Sequence, residues 1–117
     1  MKNVEFLKQN GFDIDTAMGY LGDMETFDEI LKDFYDGLDD QLAELENAQN
    51  DMTNYAILVH ALKSNCRTLG INFYMDVAYK HELESKANNN SFVAENFNEL
   101  ITLKEKTKRI IEEYLGL

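Results

Sequence analysis

The sequence predicts an all-α protein. None of its 117 residues is proline, the residue that most strongly interrupts helices. Apolar residues recur at intervals of three and four along four long segments, with charged residues between them, which is the pattern of helices that bury one face. The β-branched residues show little of the alternation that is typical of strands. We therefore expect helices joined by polar turns.

The first two helical segments are short. Val4 to Gln9 is long enough for two turns of helix or for a flap, and Gly11 follows it. The stretch TAMGYLGD predicts a second brief helix, which Asp15 or Thr16 would cap and Gly22 would end. We expect these one or two short N-terminal helices to cap one end of the molecule.

The next two segments are long and amphipathic. The first runs from Glu25 to about Asn47. The second follows the polar tract NAQNDMTN, takes Asp51 or Thr53 as its N-cap, and ends before Gly70, which suits a left-handed C-cap. The residues expected on the buried faces are, in order, Phe27, Ile30, Leu31, Phe34, Leu38, Leu42 and Leu45, then Tyr55, Leu58, Val59, Leu62, Cys66 and Leu69.

Two more segments complete the pattern, from Asn72 to Ala87 and, after a Ser91 N-cap, from Phe92 to about Leu115. His81 lies on the inner edge of the first, so we expect a buried, hydrogen-bonded histidine there. Four helices of this length with short connections bury their faces most simply as an antiparallel up-down four-helix bundle. The chain length fits one domain that spans residues 1–117.

Charge and cysteine content exclude several classes of protein. With 22 acidic and 11 basic residues the net charge is −11, which repels nucleic acid and anionic membranes. The sequence contains no run of 18 apolar residues, the length that would predict a membrane-spanning helix. The single cysteine, Cys66, cannot form an internal disulfide, and the N-terminal residues lack the apolar core of a secretion signal. We expect a cytoplasmic monomer.

The stretch HALKSNCRTLG, residues 60 to 70, holds the most informative side chains. With Leu62 as the core direction, His60 lies about 160° away on the helical wheel. Lys63 and Arg67 lie about 100° and 140° away, on the same side as His60. Ser64, four residues after the histidine, is small enough to leave the ring accessible. We expect all four side chains to face water, with the two cations beside the ring.

An exposed neutral imidazole next to two cations suggests a covalent anion carrier. The unprotonated ring nitrogen is a nucleophile near neutral pH. The anion that such a histidine most often carries is a phosphoryl group, whose oxygens Lys63 and Arg67 would neutralise. Ile57 and Ala61 flank His60 away from the core stripe, and we interpret them as a partner interface.

The same string resembles the histidine-containing phosphotransfer (HPt) domain, whose signature reads roughly His-x-Leu-Lys-Gly-x-Ser-x-x-Leu-Gly. Five positions match in order, and Ala78 and Glu82 follow at the family's helical spacing. The matching residues are His60, Leu62, Lys63, Leu69 and Gly70. Ser64 stands where the family usually has glycine, and Cys66 where it usually has serine.

The resemblance implies a phosphorelay intermediate of two-component signalling. His60 would accept a phosphoryl group from a receiver aspartyl phosphate and pass it to the aspartate of another receiver. Response-regulator receivers and a hybrid histidine kinase would be the partners. The chain would be no enzyme by itself and would bind no cofactor, since Mg²⁺ is expected on the partner receiver.

The sequence disfavours a metal-binding helical bundle, and it leaves one other function open. A di-iron bundle needs Glu-x-x-His pairs, but Ile57 and Ala78 stand three residues before the two histidines, and one cysteine with two distant histidines gives no zinc pair. The alternative that stays open is a non-catalytic helical adaptor that binds partner proteins without phosphorylation.

Overall fold

The computed structural model describes residues 2–117, and this part of the chain forms six helices and no strands. The helices are α1 (Val4–Gln9), α2 (Ile14–Leu21), α3 (Met24–Asn47), α4 (Met52–Leu69), α5 (Asn72–Lys86) and α6 (Asn90–Leu115). The prediction of an all-α protein is therefore confirmed. Within the same residues, no helix is long and apolar enough to cross a membrane.

Acidic and amide side chains cap most of the helices. Asp51, one of the two residues predicted as the N-cap of α4, caps this helix. Its side chain accepts from the backbone N–H of Asn54. The predicted N-caps of two other helices were wrong. Helix α2 begins at Ile14 with Asp13 as its cap, and Asn89 rather than Ser91 caps α6. In each case the cap lies at least two residues earlier than predicted, because an earlier side-chain oxygen already accepts from the first turn.

The four long helices pack on one another around a single core. Helix α4 packs against both α3 and α5, and α6 likewise packs against both α3 and α5. The short helices lie on the rest: α1 against α6, and α2 against α3 and α4. The large side chains that are completely enclosed are Tyr55, Tyr74, Phe27, Leu7, Leu31, Leu38, Leu42, Leu45, Leu62, Leu69, Ile71 and Leu100.

The turn between α4 and α5 is fastened to the N-terminal segment. Gly70 adopts the left-handed conformation predicted for the end of α4, with φ 73°. The backbone N–H of Asp13 donates to the Gly70 carbonyl at 2.8 Å, and Phe12 forms an isolated β-bridge with Ile71. A Cβ on Gly70 would lie 2.2 Å from the Asp13 carbonyl oxygen. This close approach helps to set the position of α5 beside α4.

His81 is buried and hydrogen-bonded, as predicted. Its Nδ1 lies 2.8 Å from the Tyr55 hydroxyl across the interface between α4 and α5, and the Phe92 ring packs edge-on against the imidazole. Burial lowers the pKa of His81 from 6.5 to about 4. The folded protein therefore holds this ring neutral at neutral pH.

We expect Gly70→Ala to destabilise the protein by about 2–4 kcal/mol, since the methyl group adds a backbone clash to left-handed strain. Gly116→Ala is the matched control, because Gly116 is also left-handed at φ 76° but nothing lies within 4 Å of the added Cβ. The control should lose only about 1–2 kcal/mol. Urea unfolding followed by circular dichroism measures both, and equal losses would contradict the role of the Asp13 contact.

The pKa of His81 predicts a pH-dependent stability. Below pH 6.5 the unfolded chain binds a proton at this residue that the folded chain does not, so the free energy of unfolding falls as the pH drops from 6.5 towards 4. The full loss is about 3 kcal/mol. Denaturant unfolding between pH 7 and pH 5 should show the decline in the unaltered protein and in His60→Gln, but not in His81→Gln. An unchanged slope in His81→Gln would assign the effect elsewhere.

Candidate functional site

His60 projects from the middle of α4 into a cleft between α4 and α5. Its side chain is 55% exposed, which agrees with the outward direction predicted from the sequence. The cleft has a volume of about 320 Å³ and is lined by Ala56, Ile57, His60, Glu82 and Lys86. The imidazole is thus open to a partner, yet one side of it faces α5.

Glu82 of α5 lies beneath the ring and contacts three side chains. Its own side chain is only 2% exposed. Its Oε2 lies 2.8 Å from His60 Nδ1 and 2.8 Å from Lys86 Nζ, while its Oε1 lies 2.7 Å from Lys63 Nζ. One buried carboxylate therefore connects the histidine to two lysines from different helices.

The charge state of Glu82 is set by these neighbours. Burial by itself raises the pKa of the carboxyl group, but the contacts with Lys63, Lys86 and His60 outweigh it and lower the pKa to about 2. Glu82 is consequently ionised at neutral pH. An ionised carboxylate has no proton to donate and acts only as a hydrogen-bond acceptor.

The ionised state of Glu82 decides which nitrogen of His60 is reactive. Because the carboxylate only accepts, Nδ1 of His60 must carry the proton in the 2.8 Å hydrogen bond. A neutral ring then has its lone pair on Nε2. Nε2 is then the nitrogen that can attack an electrophile, and the carboxylate stabilises the positive charge that the ring acquires in that step.

The expectation that Lys63 faces water was wrong. The residue is buried, with its Nζ on Glu82 Oε1 and over the Tyr79 ring at 5.0 Å from the centroid. The wheel placed Lys63 at the border of the buried face, and α5 closes over that border. A helical wheel contains no information about the neighbouring helix, so it could not reveal this burial.

Of the other two predicted site residues, only Arg67 lies away from the histidine. Ser64 is half-buried, and its carbonyl accepts from the Thr68 hydroxyl at 3.1 Å. Arg67 is exposed and lines a separate cleft with Lys63, Met75, Asp76 and Tyr79. The structure brings Lys63 to the carboxylate below His60, but it does not bring Arg67 into the cleft of the histidine.

Apolar side chains of α4 lie beside His60. Ile57, predicted as part of an interface, is 65% exposed and lines the same cleft. Ala61, the residue that follows His60, is also exposed. The exposed histidine therefore has apolar side chains of its own helix next to it.

Sequence reasoning missed the central role of Glu82 and did not single out Lys86. A signal for Glu82 was present, because it lies four residues after Ala78 and therefore on the inward face of α5. A carboxylate in that position requires a buried partner. Lys86, four residues further along, follows from Glu82 by the i,i+4 rule.

No group of three or more His, Cys, Asp or Glu side chains within residues 2–117 could hold a metal ion. Comparison of the chain with models of protein families, with curated proteins and with solved structures found no match in any of the three.

We expect Glu82→Gln to destabilise the fold by about 3–5 kcal/mol, since it removes one partner of a buried ion pair and leaves Lys63 uncompensated. Glu99→Gln, at an exposed position of α6, is the control and should change stability by less than about 0.5 kcal/mol. Urea unfolding measures both.

The same variant tests the tautomer of His60. Long-range ¹H–¹⁵N correlation spectra of the neutral ring should show the proton on Nδ1 in the unaltered protein and in Glu99→Gln. Glu82→Gln should lose that preference, because its amide can either donate or accept. A proton found on Nε2 of the unaltered protein would contradict the assignment of the reactive nitrogen.

Proposed function

We propose that this chain is a phosphorelay intermediate of the histidine-containing phosphotransfer type. His60 accepts a phosphoryl group from a receiver aspartyl phosphate and passes it to another receiver aspartate. The observation that carries the proposal is the 2.8 Å contact between Glu82 and Nδ1 of the exposed His60 ring, which makes Nε2 the nucleophilic nitrogen of the neutral ring. The motif HALKSNCRTLG supplies independent support from the sequence.

The chemical step follows from that geometry. The Nε2 lone pair attacks the phosphorus atom, an N–P bond forms, and the P–O bond to the aspartyl carboxylate breaks with its electron pair left on the carboxylate. The ring keeps its Nδ1 proton and becomes positively charged, and Glu82 balances this charge through the existing hydrogen bond. The reverse step transfers the group to the next aspartate. Phosphoryl transfer depends mainly on positioning and charge stabilisation.

The partners supply the rest of the reaction in this proposal. Response-regulator receivers and a hybrid histidine kinase provide the donor and acceptor aspartates, and Mg²⁺ belongs to the receiver. This chain binds no cofactor, is no enzyme by itself and acts as a cytoplasmic monomer.

The packing of the long helices supports an antiparallel up-down four-helix bundle as the framework. Each of α3, α4, α5 and α6 packs against two of the others, and the pairs form a closed ring in the order of the chain. The connection from α4 to α5 consists of only Gly70 and Ile71, a length typical of antiparallel neighbours. In this arrangement α1 and α2 cover part of the outside.

The apolar border of the cleft supports docking of a receiver. Ile57 and Ala61 on α4 lie beside the nucleophile, where a partner can bury them and exclude water from the transfer. The same exposed side chains favour the second candidate, a helical adaptor that binds partner proteins without phosphorylation.

Phosphorylation of His60 distinguishes the two functions. Incubation with a ³²P-labelled receiver or a small phosphodonor should give an acid-labile, base-stable label on the unaltered chain. His60→Gln should abolish the label, because the amide has no nucleophilic nitrogen. Asn65→Gln, an exposed substitution elsewhere on α4, should retain it. A chain that binds receivers but never takes up the label would favour the adaptor.

A further inference from the structure

Lys63 and Lys86 both contact Glu82. Their surroundings differ so much that they cannot have the same role. We propose that Lys86 is the cation that pairs with the phosphoryl oxygens on His60, and that Lys63 is a positioning residue that holds Glu82 beneath the ring. This inference rests on the proposed function and assigns roles within the same site.

Lys63 is largely buried. Its side chain is 10% exposed, and its ammonium group lies between Glu82 Oε1 and the face of Tyr79. The carboxylate satisfies the charge, and the aromatic ring adds a cation–π contact. Turning Lys63 outward would leave the buried Glu82 without the partner of one oxygen, so the inward position is strongly preferred.

Lys86 is bound far more loosely. Its side chain is 60% exposed, so the ammonium group stays in contact with water while it pairs with the carboxylate. Its Nζ contacts Oε2, the same oxygen that accepts from His60 Nδ1. The ammonium group therefore lies within the combined length of two 2.8 Å contacts from the ring and can move through solvent towards Nε2.

Phosphorylation of His60 changes the charges around Glu82 Oε2, the oxygen that His60 and Lys86 share. The ring becomes a cation when Nε2 is phosphorylated, so Oε2 then faces two positive charges, His60 and Lys86, which repel each other. The phosphoryl group offers new anionic oxygens on the solvent side at the same moment. Lys86 exchanges the carboxylate for the phosphoryl group, while Lys63 and the Nδ1 proton keep Glu82 in place.

Arg67 is a poorer candidate for the same role. It lies seven residues beyond His60 on α4, which is about 10 Å along the helix axis. It also lines a different cleft, on the far side of the Lys63–Tyr79 contact.

The experiment compares Lys86→Gln and Lys63→Met, with Lys80→Gln as the control because Lys80 is exposed on α5 and packs over Phe92. Each protein is labelled with a ³²P-labelled receiver, and the lifetime of the phosphohistidine is measured after the receiver is removed. Lys86→Gln should shorten the lifetime about tenfold, the effect of losing one charge-assisted hydrogen bond. Its Tm should stay near that of the control, and Lys86→Arg should restore the lifetime.

Lys63→Met keeps the apolar stem but removes the charge. It should lower Tm by at least about 4 °C, and it should raise the titration midpoint of the Glu82 carboxylate, measured by ¹³C NMR. A purely packing role of Lys63 would leave that midpoint unchanged and would overturn its assignment as a positioning residue.

The remaining outcomes separate this inference from the proposed function. An unchanged phosphohistidine lifetime in Lys86→Gln, on a chain that labels normally, overturns the role of Lys86 alone. A shortened phosphohistidine lifetime in Lys63→Met without any change in Tm would make Lys63 the cation that pairs with the phosphoryl oxygens. That result would also overturn the inference. Failure of the unaltered chain to take up label overturns the proposed function itself.

Discussion

The hydrogen bond between Glu82 and Nδ1 of His60 is the interaction on which the candidate site depends. A carboxylate that is 2% exposed is stable in its ionised form only because three donors surround it. Those donors come from α4, from α5 and from the imidazole itself. Any change that neutralises Glu82 therefore removes three features together: the tautomer of His60, the compensation of Lys63 and the counterion for a positively charged ring.

The position of Glu82 depends in turn on the way α5 is joined to α4. Gly70 turns the chain within a two-residue connection, and Asp13 and Phe12 fasten that turn from the N-terminal side. Further along the same pair of helices, Tyr55 and His81 meet in the core. Two buried polar contacts, Tyr55–His81 and Lys63–Glu82, thus fix the register of the helices that carry the site, because each buried polar group requires its partner.

The charge of the molecule is distributed unevenly around this site. Residues 52–86, which form α4, α5 and their connection, carry four basic and three acidic side chains, so this segment has a net charge of +1 while the remaining segments hold −12. Long-range repulsion of an acidic partner is consequently weakest at the face that bears His60. The exposed apolar side chain of Ile57 lines the cleft of His60, so the weakest repulsion and an apolar contact occur at the same surface.

The sequence by itself determined the helical class, the approximate helix boundaries, the left-handed end of α4 at Gly70, the burial of Cys66 and His81, and the outward direction of His60. These properties depend on local periodicity and on turn chemistry, both of which can be read along one segment. The identities of two N-caps were missed because several neighbouring side chains can accept the same backbone amides. Only the tertiary structure decided that Lys63 is buried, that Arg67 lies in another cleft, and that Glu82 fixes the reactive nitrogen. Each of these depends on how α5 lies against α4, and the distance between side chains on different helices is not encoded in the period of either one.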